Sequence, residues 1–251
     1  DINDYPDEVL GLKDGNVRVI YSATSSEKLH TKELNGVFSY TKQYPKATEI
    51  YGYKDGTLYY WTNNEKNVLY IPGIEGKDLK LRVEVDMTIA AIYAPGVNLT
   101  IDTGDRTLTL TRNSRYKYKE AVGASIDLSR PNTVSAESGN LVIRGEGKIA
   151  IDTTGTGADG AEYGLYAGNV QILEWANLDA RMGNKKKEVS FVILTSELTI
   201  DTLGAISIDV RNTKNIAYVW NVKVRDGQRF HLINARYLNF EFQKHNLWGD
   251  F

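Results

Sequence analysis

One phrase returns along most of this chain, and it limits what the chain can fold into. A short alternating run of Val, Ile and Leu meets a turn bearing Gly or Asn, and a second such run follows. Asn98-Leu99-Thr100-Ile101 leads through Asp102-Thr103-Gly104 to Thr107-Leu108-Thr109-Leu110. Asn140-Leu141-Val142-Ile143 leads through Gly145 and Gly147 to Lys148-Ile149-Ala150-Ile151. Asn169-Val170-Gln171-Ile172 leads to Asn177-Leu178-Asp179-Ala180, and Glu197-Leu198-Thr199-Ile200 leads through Gly204 to Ala205-Ile206-Ser207-Ile208. Val222-Lys223-Val224 leads through Asp226-Gly227 to Arg229-Phe230-His231-Leu232. Alternation with period two is the mark of a strand. Recurrence of a whole phrase is the mark of stacked structural repeats.

Taking Leu99, Leu141, Val170, Leu198 and Val222 as equivalent gives gaps of 42, 29, 28 and 24 residues. The last three suit one coil each, and the first suits a coil carrying an insertion near 112–138. The expected fold is all-β: a right-handed parallel β-helix, or β-solenoid, of about five coils over residues 77–251. Each coil holds about three short strands, with Gly or Asn at the bends where left-handed backbone is needed. Residues 1–76 lack the repeat and are read as a small β-rich N-terminal cap or subdomain that covers an exposed sheet edge. Inside it, residues 49–61 read as a hairpin turning on Asp55-Gly56. Short helices are expected at residues 5–12 and 25–34. Residues 237–251, with Phe240, Phe242, Leu247, Trp248 and Phe251, are expected to cover the far end. The alternative is a β-sandwich, which also alternates strands and turns.

Composition removes several function classes. There are 30 Lys and Arg against 32 Asp and Glu, a net charge of -2. That balance speaks against nucleic acid and against attraction to an anionic membrane. No run of about 18 apolar residues occurs, so membrane insertion is not expected. With no cysteine, disulfides, thiol nucleophiles and cysteine metal sites are excluded. The polar start at Asp1, without a charged and then apolar leader, reads as a mature or trimmed product.

Tyrosine dominates the aromatics, 16 against 6 Phe and 4 Trp. Its apolar body and polar tip suit half-exposed contact surfaces as well as strands. Tyr163, Tyr166, Trp175, Tyr218 and Trp220, with Tyr237, form the candidate carbohydrate-binding set: aromatic faces stack on the C–H faces of sugars while nearby polar groups bond hydroxyls. Asp152, Asp159 and Glu162 border a Gly-rich loop and are the candidate metal ligands, with Ca²⁺ as the ion. Asp102, Asp152, Asp201 and Asp209 each follow a core strand, which suggests either a carboxylate ladder or residues capping bends. Lys185-Lys186-Lys187 is a short basic loop. His30, His231 and His245 lack metal-ligand spacing, and no HExxH, Walker or Gly-x-Ser-x-Gly motif is present. No catalytic residue is singled out.

The phrases at residues 163–172 and at Leu198-Thr199-Ile200-Asp201 resemble the coils of secreted bacterial parallel β-helix proteins. These include the carbohydrate-binding-domain and adhesin-like surface proteins of Gram-positive bacteria. The resemblance covers about residues 79–236. It implies an extracellular or cell-surface protein, polysaccharide-binding or adhesive, and by itself implies no catalytic residue. The residues lean away from an enzyme, and no cofactor other than Ca²⁺ is expected. The same architecture is similar to that of pectate lyases and polygalacturonases, so a polysaccharide lyase or glycoside hydrolase is one alternative. Their Asp-Asp, Gly-His-Gly and Arg-Ile-Lys motifs are missing here. A purely structural surface protein is the other alternative.

Overall fold

A computed structural model of the chain describes residues 10–22, 28–31, 33–71, 76–111, 132–152, 163–183, 191–211, 220–242 and 247–248. The first elements are β1 (Asn16–Ile20), β2 (Lys28–Thr31), α1 (Val37–Gln43), β3 (Glu49–Lys54), β4 (Thr57–Thr62) and β5 (Val68–Tyr70). There follow β6 (Asp78–Arg82), β7 (Met87–Ile89), β8 (Ala91–Tyr93), β9 (Asn98–Asp102), β10 (Thr107–Leu110) and β11 (Asn132–Arg144). The last are β12 (Lys148–Asp152), β13 (Tyr163–Glu174), β14 (Asn177–Gly183), β15 (Phe191–Arg211), β16 (Trp220–Phe242) and β17 (Leu247–Trp248). The fold is all-β, a long mixed sheet that is mostly parallel.

Antiparallel pairing is confined, among the described residues, to the first strands: β1 with β2 and β3, and β3 with β4. From the β4–β6 ladder onward the pairing is parallel. This overturns the β-sandwich alternative, whose sheets are antiparallel.

The parallel ladders form three stacks, each with a column of aliphatic residues in register. The first runs Leu58–Leu81–Ile101–Ile143–Ile172–Ile200–Leu232. The second runs Met87–Leu108–Ile149–Leu178–Ile206–Leu238. The third runs Leu69–Ile92–Val134–Leu165–Ile193–Val222–Leu247. The chain visits them in a fixed order: β6, β7 and β8 take one stack each, while β15 and β16 pass through all three. From Leu58 to Ile200 the first column is at most 1 % exposed, and most of it is in the main core. Each such side chain contributes roughly 1.5–3 kcal/mol on burial. Successive levels lie about 4.8 Å apart.

The register corrects several expectations. Leu198 lies beside Phe230, and Val222 continues the Ile193 column instead. The match failed because every stack demands the same alternating aliphatic run, so a strand of one stack resembles a strand of another. Residues 237–242 do not cover the end: Tyr237, Phe240 and Phe242 pair with Ala205, Ile208 and Val210 and extend the second stack. Leu247 and Trp248 pair with Val222 and Lys223, and Phe251 lies outside the described residues. β4 and β5, which precede residue 77, pair in parallel with β6 and β8.

Near the N-terminus the Asp55-Gly56 hairpin forms as expected, with φ of 50° and 73° and Lys54 opposite Thr57. No helix forms over 28–31, which is the strand β2. The helix is α1, which has no side-chain cap. A seven-residue helix of that kind depends on packing rather than propensity, and Val37 and Tyr40 are buried with Val17, Val19 and Ile50. Residues 5–9 lie outside the described set, and Leu10 and Gly11 have φ of 57° and 68°, which is not helical.

A polar knot closes the hairpin against the turn after β4. The Tyr51 hydroxyl donates to Glu49 Oε1, and the Tyr60 hydroxyl donates to Glu49 Oε2 at 2.9 Å. Asn67 Nδ2 donates to Glu49 Oε2 and to Thr62 Oγ1. The two rings lie 4.9 Å apart. Burial pushes both hydroxyls well above the ordinary tyrosine range, and the neighbouring Glu49 charge adds to it. Burial, with Asp14 and Asp55 nearby, pushes Tyr53 up to about 12.

Two predictions follow from this packing. Below pH ~10 tyrosine is protonated whether folded or unfolded, and the stabilisation from the knot is complete. Above it the unfolded chain ionises while the folded Tyr51, Tyr53 and Tyr60 keep their protons. Stability therefore falls as pH rises through about 10 to 12. Phenolate absorbance should show Tyr51 and Tyr60 ionising only with unfolding and Tyr53 only near pH 12, and early titration of all tyrosines in folded protein would contradict it. The second concerns glycine. A Cβ at Gly147 would overlap the Arg106 carbonyl, and one at Gly204 the Ala176 carbonyl. Gly147→Ala and Gly204→Ala should each cost more than ~2 kcal/mol in urea unfolding. Gly76→Ala, with open space around it, should cost only about 1 kcal/mol for its positive φ.

Candidate functional site

The bend between the first and second stacks gathers most of the exposed chemistry. Its levels are joined by backbone bonds: Glu146 N donates to Gly104 O at 2.5 Å, and Trp175 N to Gly145 O at 3.1 Å. Buried threonines plug it from within. Thr103 Oγ1 donates to Arg144 O at 2.8 Å and accepts from Gly147 N at 3.0 Å. Thr202 Oγ1 donates to Ala176 O at 2.8 Å and accepts from Gly204 N at 2.9 Å. Asn177 bridges three levels, donating to Gly147 O and Trp175 O and accepting from Ala205 N. Buried backbone polar groups need such partners, and their cross-links hold the bend in one shape.

Glu174 has φ of 60°, left-handed backbone for a non-glycine residue. Such a conformation costs of order 1–3 kcal/mol and persists where surroundings impose it. Here Glu174 Oε2 accepts from Gly145 N at 3.0 Å, and its Oε1 pairs with Arg144 at 2.7 Å. The next residue, Trp175, is 53 % exposed. Leu203, one level on, is 40 % exposed. Phe38, at 49 %, stands where α1 meets the same bend. These three are the exposed large apolar side chains of the described residues. Phe38 shares an open cleft of about 420 Å³ with Arg82, Glu84, Asp105 and Arg106. Its backbone N donates to Glu84 Oε2 at 3.2 Å, and Lys42 Nζ lies 4.6 Å from the ring centre.

Charges of opposite sign alternate beside these apolar groups. Tyr59, Arg82, Asp102 and Arg144 share one register column. Arg82 pairs with Asp102 at 2.6 Å, and Asp102 Oδ1 also accepts from Gly104 N. Arg106 pairs with Asp105 at 3.1 Å. Burial raises the Tyr59 hydroxyl above its ordinary range, and Glu84 adds to the effect. Asp152, Arg181 and Asp209 form a second alternating column. Of the two readings of these acids, Asp102 fits the bend-capping one, its Oδ1 accepting from Gly104 N, and Asp152 and Asp209 do not stack directly on each other. Arg181 lies between Asp152 and Asp209, and Asp209 in turn pairs with Glu241, so acid meets acid at the last level of this column.

The aromatic candidates divide. Trp175 belongs to the bend. Tyr163 shares a column with Phe191 and Trp220 at the start of the third stack. Half-buried Tyr166 shares the column of Tyr93, Ser135 and Leu194, also in the third stack. Tyr218 lies outside the described residues, and Tyr237 sits in the second stack. Of the metal candidates, Asp152 is exposed at the end of β12, and Asp159 and Glu162 lie outside the described residues. Among the described residues no group of three His, Asp or Glu is placed to hold a metal ion. Lys185, Lys186 and Lys187 also fall outside. Sequence reasoning missed Phe38, Tyr59, Arg82 and Arg106. The parallel register brings Tyr59, Arg82 and Arg106 to the bend, the docking of α1 with its backbone bond to Glu84 brings Phe38, and no local motif marks them.

Comparison with known proteins adds no relative: no family model, no curated protein and no solved structure matches this chain.

Arg144 and Glu174 are each about two-fifths exposed. A double-mutant cycle with Arg144→Ala and Glu174→Ala should give a coupling under ~1 kcal/mol that shrinks further in high salt. A coupling several times larger would show that the pair is a structural requirement of the bend.

Proposed function

We propose that this chain is a non-enzymatic extracellular or cell-surface β-solenoid that binds polysaccharide along the bend carrying Trp175. On this reading the three stacks are the walls of a right-handed parallel β-helix, the usual hand for parallel crossovers. The antiparallel strands β1 to β3 act as its N-terminal cap. The fixed order in which the chain visits the stacks supports the coil. The observation that carries the function is the exposed Trp175 indole, set on a cross-linked bend beside the Arg144–Glu174 pair. A flat aromatic face with charged hydrogen-bonding groups at its edge suits a sugar ring, which has an apolar face and a rim of hydroxyls. Holding the platform on a fixed scaffold reduces the ordering cost of binding.

The test is a glycan array and an insoluble-polysaccharide pull-down with the whole chain, with and without Ca²⁺. A specific ligand should lose about tenfold or more in affinity with Trp175→Ala, as for a central aromatic contact. Because the side chain is half exposed, the variant should melt within a few degrees of the parent. Retained affinity in that variant would move the site elsewhere. No glycan bound by the parent chain would end the reading.

A further inference from the structure

We infer that the bend takes an uncharged glycan chain lying along the solenoid axis across several coils, held at two apolar platforms, Trp175 and Phe38. This rests on the polysaccharide reading above and gives it a substrate class. Two independent features point there.

The first is charge. The arginines of the bend are each matched by an acid: Arg82 by Asp102 at 2.6 Å, Arg106 by Asp105 at 3.1 Å, Arg144 by Glu174 at 2.7 Å. A guanidinium has five N–H donors and a carboxylate about four acceptor positions. A single ion pair leaves many of these for hydroxyl groups. It leaves little net field to draw in a polyanion, which needs clustered unpaired cations. Such a surface favours a ligand rich in hydroxyls and poor in charge.

The second is spacing. Phe38 stands over the level of Glu84, to which its backbone is bonded. Trp175 stands three levels further on, past Asp105 and Glu146, along one series of stacked bends. At about 4.8 Å per level that separation is roughly 14 Å, more than one sugar ring reaches. Leu203 continues the line one level beyond Trp175. A ligand that uses both aromatic platforms is therefore an extended chain rather than a terminal sugar. The Lys42 ammonium beside the Phe38 ring adds a donor at that end.

The experiment uses two size series as probes: uncharged gluco- and xylo-oligosaccharides, and oligogalacturonides of matching length. Affinities for the whole chain are measured by calorimetry. For the uncharged series, affinity should climb with length until the ligand spans roughly 14 Å and then level off. Phe38→Ala should abolish most of that climb, about tenfold at the longest ligand, while the shortest ligand that binds is unaffected. Raising the salt from low to high should change uncharged-ligand affinity by less than about twofold. Oligogalacturonides binding as tightly as the uncharged series, with steep salt dependence and loss on Trp175→Ala, would overturn this inference and leave glycan binding at the bend intact. Affinity independent of length, or a length effect untouched by Phe38→Ala, would overturn the two-platform arrangement. Failure of both series and of every glycan on the array would remove the polysaccharide reading itself.

Discussion

The in-register stacking of short parallel strands is the constraint on which the rest of this structure depends. A parallel strand satisfies its backbone groups only through neighbours on both sides, and here those neighbours come from the levels before and after it. The aliphatic columns, buried at Leu58 to Ile200 in the first stack, at Met87 to Ile206 in the second and at Leu69, Ile92, Leu165 and Ile193 in the third, keep that register from slipping. A shift of one residue would turn every aliphatic side chain outward and bring a polar one in. Once the columns are set, the bends between strands also stack, and so do the side chains they display.

That transfer from core to surface explains the candidate site. Residues far apart in sequence, such as Arg82, Asp102 and Arg144, meet because the aliphatic residues beside them share a column. The same logic places Leu203 beside Trp175. The polar interior of the bend, with Thr103, Thr202 and Asn177 bonded across levels, keeps the outer groups in place without using any of them. The strained backbone at Glu174 is confined to the level that presents Trp175.

Legibility in the sequence followed the range of the interactions. The Asp55-Gly56 turn was readable because positive φ at both positions is a local demand. Gly145, with φ of 100°, was readable for the same reason, whereas Gly147 is required by the close approach of the Arg106 carbonyl one level away. α1 was not readable: it has no cap, and its stability comes from contacts with Val17, Val19 and Ile50. The equivalence of Phe230 with Leu198 was missed because every stack asks for the same alternating aliphatic pattern. Trp175 was legible only as one of a set of aromatics within the repeat, whereas Phe38 and Arg82 carry no mark of their own.

By itself the sequence determined the secondary structure class, the repeat and the positions of several tight turns, because each follows from period, side-chain branching and glycine's freedom within a few residues. The tertiary structure alone decided which strand lies on which, that Arg82, Asp102 and Arg144 alternate in one column, and that Phe38, Trp175 and Leu203 share one bend. Those relations depend on parallel register between residues from 20 to more than 40 positions apart, and no local pattern encodes a distance of that kind.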